Sequence, residues 1–300
     1  MRTHASGKSA RPINGLTSDD TMNHDPFHWG RPLDSHYGGY NHHIANASNT
    51  AAESKIPTLH TQQPTITGTS VVALKYKDGI MMAADNVGAY GSLMRFSNIE
   101  RLIKVGEETV VGILGDISDL QQIERILDEL EIDEAYDIED GGDEPEPGKP
   151  APHSLRAPHV HEYLSRVLYN RRSKMDPLWN AVVVGGYNDD RTPFLKYVDL
   201  LGVTYASLTI ATGFGGHLAI PLLRNLIPYD KDYSEVTEEQ ARECLAHCMR
   251  VLFYRDARSM DEYSLVTIKP LEFKHEKGVK VEDQAWRFAK DIRGYGSKQQ

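Results

Sequence analysis

From Thr69 onward apolar and polar side chains alternate with the period of a strand: Val72, Leu74 and Tyr76 share one face, and Val71, Ala73 and Lys75 share the other. The Asp78-Gly79 pair that follows supplies the positive φ angles of a tight turn, so IMMAAD, residues 80–85, is predicted as the antiparallel partner. Residues 102–104 and 109–114 form a shorter pair joined at Gly106.

The period then lengthens to that of a helix. Ser118 and Gln121 read as a capping box ahead of Leu120, Ile123, Leu127 and Leu130, which line one apolar stripe. A second helix is predicted over 158–173 on Val160, Tyr163, Leu164, Val167 and Leu168. Strands return at 179–187 and 194–200, around the loop Asn188-Asp189-Asp190. After the glycine-rich turn ATGFGG a third helix covers 218–226, with Pro221 in its first turn. Thr237 and Gln240 cap a fourth, with Ala241, Cys244, Leu245, Cys248 and Leu252 inward. Strands at 263–268 and around Phe273, then a short amphipathic segment at 286–289, complete the pattern. Strands, two helices, strands, two helices, strands: this order predicts an α+β fold in one domain, with two antiparallel sheets stacked between two helical layers as a four-layer αββα sandwich.

Composition changes this picture at the edges. Residues 1–60 hold seven of the thirteen histidines, keep neither period, and read as a mostly disordered leader or propeptide. Their histidines lack cysteine partners and a helical frame, so no metal site is expected. The formal charge of -10 is local: eleven acidic residues and no basic one lie between Asp128 and Gly148, and the remainder is close to neutral. Residues 137–157, rich in Pro, Gly and acid, are expected to form a solvated loop. Two cysteines four residues apart suit reduced core thiols. The start has no apolar stretch of the secretory kind, and no apolar run reaches the ~20 residues of a membrane span, so an intracellular chain is the expectation. The basic clusters Arg171-Arg172 and 274–280 are short and lack interleaved stacking aromatics, which argues against nucleic acid.

The stretch TGTSVVALKYKDGIMMAADNVGAYGS, residues 67–92, resembles the opening of proteasome β subunits, and the similarity runs from about Thr61 to the C-terminus. MNHDPFHWGRP, TQQP, NVGAYGSLMRF and RRSKMDPLWN resemble the beta type-4 branch, which takes the seventh position of the β ring. The resemblance implies the N-terminal nucleophile hydrolase fold, a leader at 1–60 and a subunit domain at 61–300 with a C-terminal tail at 285–300. It also implies a place in the 20S core particle and in ubiquitin-dependent protein degradation in cytoplasm and nucleus. The implied partners are other β subunits of the same and the opposite ring and the α-ring subunits. Cofactor and metal are expected to be none.

In active members of that family a free N-terminal threonine attacks the peptide carbonyl, and its own amine or a bridging water takes the hydroxyl proton. A lysine held by an aspartate tunes the site, and a backbone N–H stabilises the oxyanion. The resemblance puts Thr69, preceded by Gly68, at the nucleophile position, Asp85 at the aspartate and Gly115 at the oxyanion glycine. Asp256 and Ser259, in YRDARS, take the supporting acid and hydroxyl positions. Two positions depart from the pattern. The lysine position holds Arg101, which stays charged above pH ~12 and cannot relay a proton. The serine of the glycine-rich turn becomes Phe214, which removes the hydroxyl that would hold the terminal amine; its simpler role is a core aromatic. An uncut Gly68-Thr69 bond leaves the nitrogen a non-basic amide.

No catalytic residue is therefore expected. Thr69, Asp85 and Asp256 read as a hydrogen-bonded remnant with Arg101 as counter-charge. The alternatives are an active threonine endopeptidase using Thr69 and, more remotely, a free-standing amidase of the same fold. The TQQP run implies a mature chain beginning at Thr61, after a cut behind His60 by an active neighbour. Trp286 and Phe288, with Arg293 in the tail, are candidate interface anchors toward the opposite ring.

Overall fold

The computed structural model describes residues 63–141, 155–228 and 232–282, with 137–141 described by backbone alone. The expected leader, His60, Thr61, most of the acidic loop, and Trp286, Phe288 and Arg293 lie outside the described residues.

The chain opens with β1 (Ile66–Thr67), β2 (Val71–Tyr76), β3 (Gly79–Asp85), β4 (Gly88–Tyr90), β5 (Leu93–Phe96), β6 (Leu102–Val105) and β7 (Thr109–Gly115). Two helices follow, α1 (Ile117–Gly141) and α2 (Ala157–Ser173), then β8 (Asn180–Tyr187), β9 (Pro193–Val198), β10 (Thr204–Ala206) and β11 (Thr209–Ala211). After α3 (Gly215–Leu226) and α4 (Glu238–Arg255), β12 (Glu262–Lys269) and β13 (Glu272–Lys280) close the described part. One five-stranded sheet runs β11-β2-β3-β12-β13 and the other β10-β9-β8-β7-β6. Every pairing within them is antiparallel.

Three apolar layers separate the four structural ones. Val72, Leu74, Tyr76 and Met81 meet Ala219 and Leu223 of α3 and Leu245, Cys248 and Leu252 of α4. The opposite faces of the same strands, with Val71, Ala73, Ile80 and Met82, meet Val110, Val183 and Leu195 of the other sheet. That sheet then covers Ile123, Leu127, Val160, Leu164 and Leu168 of α1 and α2. A strand buried on both faces has no solvent side. For this reason β2 from Val71 to Leu74 and β3 from Ile80 to Ala84 are apolar without a break, and each large aliphatic side chain there contributes about 1.5–3 kcal/mol of transfer free energy. This is the αββα sandwich predicted from element order.

Local expectations shifted in instructive ways. The hairpin turn consists of Lys77 and Asp78, Tyr76 pairs with Gly79, and neither turn residue has a positive φ. Glycine is needed one step later: Gly79 has φ +156°, and a Cβ there would fall 2.0 Å from the Ile268 carbonyl oxygen. The cap of α1 is Asp116, whose Oδ1 accepts from the Ser118 and Asp119 amides at 2.8 and 3.4 Å and from the Ser118 hydroxyl. Ser118, read from sequence as the cap, lies inside the first turn. The helix backbone also continues to Gly141, into the acidic stretch expected to be loop from 137, and α2 starts at Ala157, the last residue of that stretch. Tyr163 is exposed on α2, and His161 takes the buried position beside Val160 and Leu164. The Thr237/Gln240 capping box is formed as expected.

Strands β1, β4 and β5 form a separate small sheet in the order β1-β4-β5, and β10 and β11 add outer strands to the large sheets. These are two to four residues long, too short for a period to register in the sequence.

Candidate functional site

The site forms where β2 begins, β3 ends and the chain enters β6. Arg101, just ahead of β6, is fully buried, which requires every one of its donors to find a partner. Its Nε donates to the Asp85 carbonyl at 2.8 Å, and Nη1 donates to the Thr69 carbonyl. Nη2 reaches the Ser70 carbonyl at 3.2 Å, the Thr69 hydroxyl at 3.3 Å and the Asp85 carboxylate. One guanidinium therefore clamps Thr69 and Ser70, the two residues ahead of β2, to Asp85, the last residue of β3. The Thr69 hydroxyl donates to Asp85 Oδ2 at 2.5 Å.

Burial sets the electrostatics. It pushes the Asp85 carboxyl above its usual range, against the pull of Arg101 and of the Thr69 hydroxyl. Burial also pushes the Arg101 guanidinium down from its very high ordinary value, and Asp85 opposes that shift. Arginine starts so far above neutrality that it keeps its proton.

The residues ahead of Thr69 are woven into the fold. Ile66 and Thr67 pair with Tyr90 and Ala89 of β4, and Thr67 also bridges to Asp116. The Thr65 amide donates to Asp116 Oδ2 at 2.7 Å, and the Gly68 amide to the Gly115 carbonyl at 2.9 Å. Gly68 itself is required, because a Cβ there would lie 2.7 Å from Arg101 Cδ. Gly115, at φ +121°, would place a Cβ 2.1 Å from the Trp179 carbonyl oxygen. Burial alone pushes the Asp116 carboxyl up. The Ser118 hydroxyl and the amides of Thr65, Ser118 and Asp119 outweigh that and hold it below the usual range.

A cleft of about 300 Å³ opens over Thr69, lined by Gly68, Gly115, Trp179, Phe214, Asp256 and Arg258 among others. Phe214 stands at its edge and is 61 % exposed, so the expectation of a core aromatic is corrected: the tight turn, with Gly213 at φ +58°, directs the ring outward. In this turn the Gly215 amide, at the start of α3, donates to the Ser70 hydroxyl at 2.8 Å.

The sequence-predicted residues thus separate into two groups. Thr69, Asp85 and Arg101 are bonded together, with Gly115 one hydrogen bond away through Gly68. Asp256 lines the cleft, but its Oδ1 accepts from the Arg258 amide at 3.0 Å. Ser259 turns its hydroxyl to carbonyls at the end of α4, the nearest being Asp256 at 2.8 Å. Sequence reasoning missed Ser70 and Asp116. Asp116-Ile117-Ser118 carried an N-cap signal in the acid, which the neighbouring serine obscured. Among the described residues no group of three or more His, Cys, Asp or Glu is placed to hold a metal, and Cys244 and Cys248 are free thiols directed at α3 carbonyls. No helix among them is long and apolar enough to cross a membrane.

Residues 65–268 match the family model described as Proteasome subunit. The chain is 51 % identical to the proteasome subunit beta type-7 of Saccharomyces cerevisiae, over 92 % of this chain and 99 % of that protein. It is 43 % identical to the beta type-4 subunit of Xenopus laevis, over 80 % and 92 % of the two chains. The beta type-4 subunit of Arabidopsis thaliana is 41 % identical over 74 % and 80 %. With the stacked sheets and the threonine at the head of β2 already placed, the chain belongs to the proteasome β-subunit family of the N-terminal nucleophile hydrolase fold.

Proposed function

We propose that this chain is a non-catalytic structural β subunit of the 20S core particle, closing a β ring and shaping the sites of its neighbours in cytoplasm and nucleus. The observation that carries the reading is the Arg101 clamp. A nucleophilic threonine needs a nearby base that can take its proton and pass it on. The groups bonded to the Thr69 side chain are a permanently charged guanidinium and a carboxylate already ion-paired to it. That carboxylate is held by a guanidinium that cannot carry a proton onward, and an uncut Gly68-Thr69 bond leaves the Thr69 nitrogen a non-basic amide.

The partners in this reading are β subunits of the same and the opposite ring and the α-ring subunits. A tail carrying Trp286, Phe288 and Arg293 reaches across to the opposite ring, and processing behind His60 leaves Thr61 as the mature terminus. The segment from Thr65 to Gly68, held by β4, Asp116 and Gly115, supports a terminus upstream of Thr69. Intact-mass measurement of the chain in purified particles tests this. A mass beginning at or near Thr61 is expected, whereas a mass beginning at Thr69 would give the threonine a free amine and favour the active endopeptidase.

A further inference from the structure

Histidine is the side chain whose ordinary titration falls between pH 5 and 8, and α2 buries one. His161 is 5 % exposed and shares the inward face of the helix with Ala157, Leu164 and Leu168. The period of α2 gives that position to an apolar residue, so the imidazole has to be satisfied by what the sheet beneath it offers.

β9 offers one bond. Nε2 lies 3.2 Å from the Tyr197 carbonyl, and a carbonyl only accepts, so Nε2 carries the proton of the neutral ring and Nδ1 is bare. A second proton would have to go to Nδ1, which has no hydrogen-bond partner among the described residues. The charged groups nearby do not favour it. On β9, the Lys196 ammonium lies 5.2 Å from the centre of the Phe194 ring, and the imidazole meets the same ring at 5.8 Å and 66°. An imidazolium would share that aromatic with a cation already present. Tyr197 and Tyr205 of β10, whose rings lie 4.7 Å apart, are neutral phenols, both pushed up by burial. Glu162, the carboxylate that acts on the ring from α2 itself, is exposed and ion-paired with Arg166 at 2.8 Å. Burial first, and then Lys196, hold the imidazole below its usual range, against the pull of the Tyr197 carbonyl and of Glu162.

We propose that His161 is an acid-sensitive latch: neutral, it bonds α2 to β9, and protonated, it releases the helix from the sheet together with the turn that leads to Trp179 at the cleft wall. That turn is tied to the end of α2, since the Asp176 amide donates to the Arg171 carbonyl at 3.0 Å and Arg171 Nε to the Asp176 carbonyl at 2.9 Å. The sign follows from linkage. A folded-state value below the unfolded one leaves the docked helix fully stable above about pH 6.5 and withdraws stability as pH falls from there.

The test is amide exchange of the full-length chain, followed by mass spectrometry at pH 7.5, 6.0 and 5.0 and corrected for intrinsic rates. Opening of 158–168 should increase about tenfold from pH 7.5 to 5.0, and that of 174–178 should rise with it. His161→Gln keeps a side-chain N–H for the Tyr197 carbonyl but does not titrate, and its α2 protection should change by less than about twofold over the same range. His161→Leu, apolar like its neighbours on the helix, serves the same comparison if the Gln variant does not fold. At every pH β2 and β3 should exchange at least about ten times more slowly than α2, because the release is local. An acid opening that persists in a non-titrating variant would overturn the proposal. So would unchanged α2 protection in the wild type, or a common rate for α2 and the core strands, which would mark global unfolding.

Discussion

At the scale of single residues, the Arg101–Asp85 pair decides both stability and chemistry. Arg101→Met should cost about 3–5 kcal/mol in chemical denaturation, because it leaves a buried carboxylate without its counter-charge. The pH dependence follows from burial, which already raises the Asp85 carboxyl and in the variant acts with no cation to oppose it. A raised folded-state value favours the folded protein at low pH and withdraws that stability as pH rises. The variant's deficit should therefore grow from about pH 4 upward rather than shrink, as unfolding curves at pH 4, 6 and 8 would show. The sequence revealed that an arginine stood where a relay residue belongs. It did not reveal how completely that guanidinium would be used, since four of its bonds go to backbone carbonyls or a hydroxyl brought together only by the fold. Phe214 shows the converse: an aromatic residue in a turn gives no sign in the sequence of which way its ring points.

At the scale of elements, Asp116 joins the strap ahead of Thr69 to the first turn of α1. Asp116→Ala removes a helix cap and the acceptor of the Thr65 amide together, and should cost about 1–2 kcal/mol. Exchange protection should fall at Thr65, Ser118 and Asp119 while β8 and β12 keep theirs. Loss of protection confined to α1 would show that the strap is held by β4 and Gly115 without the Asp116 side chain. Long elements with a clear period, such as β2, β3, α2 and α4, were legible in the sequence. The three-stranded sheet was not, because strands of two to four residues draw their stability from the pairing of β1 with β4 and from Ile66 and Ile99 against the main core, both of which are tertiary.

For the whole molecule, layer order followed from element order, because each amphipathic helix pair needs a sheet face and each sheet needs both of its faces covered. Assembly is written less plainly in the chain. Exposed side chains such as Leu93 and Met94 become intelligible only once β5 is seen to be an edge. The central claim is that Thr69 is held as a structural hydroxyl, and the most direct measurement is reaction of purified particles with a threonine-directed epoxyketone, followed by peptide mass analysis of every β-type chain. That reagent needs both the threonine hydroxyl and a free terminal amine to close its adduct. Active neighbours should be modified while the Thr69 peptide of this chain stays unmodified at saturating reagent. A stoichiometric adduct on Thr69 would contradict the account and establish this chain as a working threonine endopeptidase.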